Sequence, residues 1–398
     1  MAAALGVAAA VCSGLANGSW NLPTKPDAPR SVYAGTVWAW ENIWFVANFL
    51  IPIANTVVVL AVVGPSLLSE VFADAEPRHL WAICVPSLAW GWGGVGFGQS
   101  IKRLGVALGT SIVMGIIVVV GTALPAVLGA DELTATQASG VALGVALGVA
   151  GFVAGGRAGF LRDRALGRAK DGTPKTRAAD PEAEAEPVEP AGGDGEARAA
   201  FAEPRDSFWV SMAWCLAGGV LSSMLQFAFV FGGAVVDLAR RKGVPDAAAA
   251  MPVWLLCFAC NAFGHLSYSG YLLGANGTWR LFFHPTGVVG SDAGSALKEE
   301  RASPRRITLH AIFMCALMAL AMPFHIHTYG IAAVLLGPMG AVFAWPVVMS
   351  ATVFTAQTWS VVLKEFEGAP KAAKRWNLGS MCLLVSSVVC VALTGTFG

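Results

Sequence analysis

The sequence predicts an all-α polytopic membrane protein, with ten transmembrane helices arranged as a five-plus-five inverted repeat. Three observations carry that reading. The 398-residue chain is 56% hydrophobic and 13% charged, where a soluble domain carries about 25% charged residues. Its mean hydropathy is +0.62. Its apolar residues gather into ten stretches near the length of about 20 residues that a bilayer-spanning helix needs.

Taken in order, the stretches cover residues 3–22, 44–63, 80–100, 105–128, 137–160, 209–238, 251–273, 307–325, 332–363 and 376–397. The first resembles the apolar core of a signal peptide. It lacks a basic leader and a clean cleavage site, so it is read as a retained span. Between the fifth and sixth stretches the composition changes. Residues 161–206 are rich in Pro, Glu, Ala, Gly and Arg, as in Pro181-Glu-Ala-Glu-Ala-Glu-Pro187. With almost nothing apolar to bury, this segment reads as a disordered linker. It divides the chain into a first unit, 1–160, and a second, 207–398. A second exposed loop is expected over 275–306, ending in Lys298, Arg301, Arg305 and Arg306.

The charges sort by loop. Numbering each loop by the span before it, even loops hold only Arg78 and the trio Arg240, Arg241 and Lys242, four of the 26 basic residues. The rest lie in odd loops or beside them, including Arg157 next to the linker. By the positive-inside rule, odd loops and the linker are cytoplasmic and both termini lie on the other side; the Arg240–Lys242 trio argues the other way. The expected location is a plasma or organelle membrane. Because five is odd, two homologous five-span units would be inverted relative to one another. That is the architecture of many secondary transporters, with the site at the midplane between the units.

Other classes are excluded. A net charge of +1 gives no electrostatic footprint for nucleic acid. Most of the eight cysteines sit inside apolar runs. Cys257-x-x-Cys260 has no second pair and no βαβ context, and reads as buried small residues. No nucleophile, base and metal set converges as an intramembrane enzyme would require, so neither a cofactor nor a metal is expected.

Ionisable and polar side chains within spans are costly unless paired or facing a wet cavity, so they are the candidate site residues. Glu41 lies in Trp38-Ala-Trp-Glu-Asn-Ile-Trp44, at the entrance to the second span. Partly desolvated by tryptophans, it could load and release a proton; alternatively it is an interfacial charge beside an aromatic belt. Asn261, His265 and Tyr268 are spaced four and three apart and share one helix face. They could hydrogen-bond a polyhydroxylated solute or act as interhelical glue. His325 and His327, in Pro323-Phe-His-Ile-His-Thr-Tyr-Gly330, point in different directions, and one could face a solute. With no further ligands beside them, a metal site is not expected. His310 reads as interfacial. Asn21, Trp40, Gln99, Gln226, Tyr329 and Gln357 complete the candidate solute site, amides for hydroxyls and rings for the apolar faces of a sugar. Asn17, Asn48 and Asn55 are read as structural.

Gly140, Gly144 and Gly148, then Gly151, Gly155 and Gly159, recur every four residues on the fifth span. Such a stripe serves close helix packing, within the chain or in a dimer; packing within a monomer is the preferred reading. Gly91, Gly93, Gly94, Gly96 and Gly98 crowd the third span as a side-chain-poor helix able to border a cavity. Neither Asn17-Gly-Ser19 nor Asn276-Gly-Thr278, though both match the glycosylation pattern, is expected to be used.

Several motifs resemble one family. Gly18-Ser-Trp-Asn-Leu-Pro-Thr-Lys25, Trp40-Glu-Asn-Ile-Trp44, Trp90-Gly-Trp-Gly-Gly-Val-Gly-Phe-Gly98 with Lys102-Arg-Leu-Gly-Val-Ala-Leu-Gly109, and Val362-Leu-Lys-Glu-Phe366 are similar to the L-rhamnose–proton symporter family of the drug/metabolite transporter superfamily. The resemblance implies a ten-helix carrier moving a deoxy-sugar with a proton by alternating access. It puts Glu41 in the place of the family's acid between tryptophans and Asn261 in the place of a family Asn. Where the family's eighth span has an amide and aromatics before Tyr–Gly, this chain has His325 and His327. The rival expectation within the superfamily is an exchanger of phosphorylated or nucleotide-linked sugars, which calls for cations in the cavity.

Overall fold

The structure is a computed structural model that describes residues 2–24, 38–104, 106–128, 133–166, 208–283, 304–337 and 339–397. Most of the expected linker, from residue 167, and positions 284–303 of the second expected loop lie outside the described residues. The described chain is helical. Its helices are α1 (Ala2–Ser19), α2 (Trp40–Val63), α3 (Pro65–Asp74), α4 (Pro77–Leu104), α5 (Val106–Leu128), α6 (Ala135–Ala165), α7 (Phe208–Phe231), α8 (Gly233–Arg241), α9 (Met251–Ala275), α10 (Pro304–Leu335), α11 (Gly340–Val362) and α12 (Lys371–Phe397). Ten are long and apolar enough to cross a membrane, with α8 continuing the span begun by α7. α3 and α8 are short caps at the even-loop end.

The spans fall where the hydropathy puts them, but three boundaries move. α2 begins at Trp40, which draws Trp40 and Glu41 into its first turn. α6 runs on to Ala165, so Arg162 and Arg164 are helical and not part of a linker. α10 continues to Leu335, so His325, His327 and Tyr329 lie inside a helix and not at its end. Gly330 does not mark a turn there. A Cβ on it would stand 2.7 Å from Trp254 Nε1, so the glycine is needed for ring packing.

The two sets of five helices interdigitate. α1 packs on α10 and α11; α2 on α9 and α10; α4 on α7 and α9; α5 on α6, α7 and α11; and α6 on α12. Large apolar side chains such as Phe49, Val57, Val85, Val153, Phe263 and Leu320 remain exposed on the outside. On a water-facing surface that belt would be unstable; in a bilayer it is the lipid face.

Glycines set the closest approaches. The α6 stripe is spent on α12: a Cβ at Gly140 would reach Thr394 Oγ1 at 2.2 Å, at Gly144 Val391 at 2.2 Å and at Gly151 Leu384 at 2.9 Å. The proximity lets Ser380 and Ser387 donate hydroxyls across to the carbonyls of Gly151 and Gly144 at 2.6 and 2.7 Å. On α4, Gly93 and Gly96 meet the α7 backbone, while Gly91 and Gly94 meet Asn261 and His265 of α9. The glycines Gly91, Gly93, Gly94 and Gly96 thus let α4 pack closely against both α7 and α9.

At the even-loop end the bundle is sealed by stacked rings. Phe229 and Trp254 stack at 4.9 Å, and Tyr329 contacts Phe229, Trp254 and Trp345 at 5.3, 5.9 and 5.6 Å. On the same side, Arg240 pairs with Asp237 and Asp246, and Lys242 with Asp74. Two of the three basic residues that disturb the charge sorting are therefore matched by local carboxylates.

Candidate functional site

A cavity of about 800 Å³ occupies the centre of the bundle. Its inner end is bounded by Ile51, Met114 and Phe152 at mid-helix and by Trp345 near the start of α11; its outer end reaches Thr24, Arg162, Ser360 and Glu365 at the odd-loop ends. Both five-helix units contribute walls. This volume falls within the ~300–1,000 Å³ typical of small-molecule sites.

One wall is built on α2, α4 and α9. Trp40 and Trp44 stack at 5.1 Å, and Trp20 lies 5.4 Å from Trp44. Trp44 Nε1 donates to His265 Nδ1 at 3.2 Å, which fixes the imidazole across the cavity wall. Gly94 makes room for that ring, since a Cβ there would sit 2.3 Å from His265 Cε1. Further along the same face of α9, Tyr268 OH accepts from Gln99 Nε2 at 2.8 Å, and Arg103 donates to Gln99 Oε1 at 2.7 Å. Asn261 completes the row, and its Nδ2 has no partner among the described residues.

The opposite wall comes from α1, α10 and α11. Ser13 donates its hydroxyl to the His325 carbonyl at 2.8 Å, and His325 Nδ1 lies 2.8 Å from Ser13 Oγ and 3.1 Å from Ser13 O. Asn17 Nδ2 donates to Thr352 Oγ1 at 3.1 Å. Gln357 Nε2 donates to Ser380 Oγ at 2.6 Å, while its Oε1 is left unpartnered.

At the mouth, Arg162 of α6 pairs with Glu365 in the α11–α12 connection at 2.6 Å, with 11% and 8% of the two side chains exposed. Arg162 also pairs with Asp163 at 2.8 Å and lies 5.2 Å over the Phe366 ring. Arg162 and Glu365 are the only Asp, Glu, Lys or Arg among the described lining residues.

The structure brings Asn21, Trp40, Gln99, Asn261, His265, Tyr268, His325 and Gln357 together on this cavity. Gln226 and Tyr329 lie elsewhere. Tyr329 donates to Gln226 Oε1 inside the even-loop seal, and Gln226 Nε2 donates to Ala341 O at 3.1 Å. Glu41 is also absent from the lining. Its Oε1 accepts from Asn276 Nδ2 at 2.9 Å and Thr278 Oγ1 at 2.8 Å, the two polar side chains of the Asn-Gly-Thr motif. His327 is buried off the cavity with both ring nitrogens unpartnered. The Arg162–Glu365 pair is hard to see in the sequence because Arg162 stands where the composition turns to that of the linker. The signal was present: Gly155, Gly159 and Arg162 follow at helical spacing, so the glycine face continues onto the arginine.

Fold and cavity together define a ten-span α-helical membrane protein with a polar, ring-lined chamber between two sets of five helices. Residues 30–174, which carry α2 to α6, match the family model described as L-rhamnose-proton symport protein. Similar curated relatives are the L-rhamnose-proton symporters of Escherichia coli, 26% identical over 133 residues, and of an Enterobacter species, 28% identical over 133 residues. That of Klebsiella pneumoniae is 23% identical over 136 residues. Each match covers 33% of this chain and 38% of the relative. No solved structure matches.

Proposed function

We propose that this protein is a secondary transporter, not an enzyme, that moves a neutral sugar of the L-rhamnose class across a membrane together with a proton. The observation that carries this is the character of the cavity. Its polar groups are amides, hydroxyls and imidazoles among indole rings, and the two formal charges among its described lining residues pair with one another. Such a chamber suits a solute with several hydroxyls and apolar C–H faces. It does not suit a phosphorylated or nucleotide-linked sugar, whose anionic groups need cations free to face them. The symporter names of the relatives support the proton as co-substrate.

The packing supports an inverted repeat. Exchanging each span with the one five further on turns the α1–α10 contact into α7–α4, α1–α11 into α7–α5, and α2–α10 into α9–α4. It returns α2–α9 and α6–α12 to themselves. Alternating access then means opening the ring-sealed end while the odd-loop end closes. With the odd loops in the cytoplasm, the chamber described above faces inward. Because α12 consumes the α6 glycine stripe, a monomer suffices as the transporting unit.

Purified protein in liposomes tests the reading. An inward proton gradient accelerates L-rhamnose entry. Entry that ignores the gradient removes the coupling, and exchange of a phosphorylated sugar in place of L-rhamnose favours the anionic-substrate reading.

A further inference from the structure

Five lining side chains can ionise: Arg162, Glu365, His265, Tyr268 and His325. Arg162 and Glu365 are bound to each other, and Tyr268 OH already accepts from Gln99. The two histidines differ in a way their hydrogen bonds fix. The indole N–H of Trp44 can only donate, so His265 Nδ1 is the accepting nitrogen and the ring proton sits on Nε2. Ser13 Oγ spends its one proton on the His325 carbonyl and the Ser13 carbonyl can only accept, which assigns the His325 proton to Nδ1 and the lone pair to Nε2. The hydrogen bonds that the described residues make to these rings are all at Nδ1, and both rings line the cavity. The chamber therefore faces its solute with an N–H at His265 and a bare nitrogen at His325.

From this geometry we propose that His325 Nε2, and not Glu41, is the atom that takes up the transported proton. The inference rests on the symport reading above. A proton from cavity water bonds to the Nε2 lone pair, giving an imidazolium, and leaves from the same atom on the other side. No existing bond is lost, because Nδ1–H still donates to Ser13. Protonating His265 would break its bond from Trp44. Glu41 lies off the lining with two donors on one oxygen.

The surroundings of His325 hold no competing charge. Of the elements packed on α10, α1 brings Cys12, α11 brings no ionisable side chain, and α2 brings only Glu41, in its first turn at the odd-loop end. α9 brings Cys257, Cys260, His265, Tyr268 and Tyr271, and the 246–248 turn brings Asp246, which is paired with Arg240. On α10 itself the described neighbours are His310, Cys315, His327 and Tyr329.

The test is the ratio of L-rhamnose uptake with an inward proton gradient to uptake without one, in liposomes carrying the full chain. His325→Gln brings the ratio to unity, and Glu41→Gln keeps the wild-type ratio. A wild-type ratio in His325→Gln, or unity in Glu41→Gln with His325 intact, overturns the assignment. A wild-type ratio of unity removes the symport reading itself and is thus a separate failure. If His325→Gln does not fold, nitrogen-15 NMR of histidine-labelled wild type decides. A histidine protonated on Nδ1 that keeps this tautomer in Ser13→Ala, where the hydroxyl is gone and the carbonyl remains, supports the proposal, and its absence in the wild type overturns it.

Discussion

Tyr329 of α10 donates its hydroxyl to Gln226 of α7, and neither side chain is reached by solvent. The bond ties a helix of the second unit's middle to its first helix, directly beneath the Trp254 and Trp345 rings that close the even-loop end. Tyr329→Phe keeps the ring contacts and leaves Gln226 Oε1 buried without a donor, which costs about 1–3 kcal/mol. The expected result is a lower melting temperature for the purified protein and a seal that opens more readily, measured as faster labelling of a cysteine placed at Met349. Tyr329→Phe with unchanged melting and labelling would show that the phenol plays no part in the seal.

The α4 glycines make a second prediction, and it discriminates between neighbours. Gly94→Ala places a methyl 2.3 Å from His265 Cε1, so the imidazole must move and release Trp44. Overpacking of this kind costs about 1–3 kcal/mol. Sugar binding, read by quenching of the cavity tryptophans, should weaken accordingly. Gly98→Ala meets nothing within 4 Å and should leave melting unchanged.

Much of this was legible in the sequence, and the reasons divide cleanly. Spans are a matter of length and apolar content, so all ten emerged from hydropathy. The Asn261, His265 and Tyr268 row was legible because a helix puts residues three and four apart on one face. Gln226 and Tyr329 are not legible as partners because a polar group inside a membrane helix has two ways of being satisfied, by solute or by another side chain, and composition does not say which. They satisfy each other across 103 positions of sequence. Glu41 presented the same ambiguity: its partners, Asn276 and Thr278, come from a turn that no local pattern ties to α2.

On the even-loop side, Lys242 is held above the ordinary lysine range, chiefly by its hydrogen bond to Asp74, with Coulomb attraction from Asp74 and Glu70 adding to it against some desolvation. A raised folded-state value means that the contact's contribution is complete below the ordinary lysine value and fades as pH climbs through the folded one. Lys242→Met should therefore lower melting near neutral pH, by a small amount because the pair is exposed. The gap between variant and wild type should close in strongly alkaline buffer. A gap independent of pH would assign it to packing of the lysine stem.

The Arg162–Glu365 pair makes the strongest energetic prediction because both side chains are nearly buried. Removing one partner of a fully buried pair costs about 3–5 kcal/mol, since the other charge is stranded. Here the cost should be lower, on the order of 2–3 kcal/mol, because the pair stands at the cavity mouth and Asp163 still meets Arg162. Glu365→Gln and Arg162→Gln should each lower melting, and the double variant should be more stable than the sum of the two losses implies. The two single variants should differ in transport. Glu365→Gln removes one of the two carboxylates that Arg162 meets and should admit anionic sugars more readily than the wild type, whereas Arg162→Gln removes the described cation of the mouth and should exclude them further. Equal rejection of anionic sugars by both variants would mean that the neutrality of the pair does not set the charge of the solute.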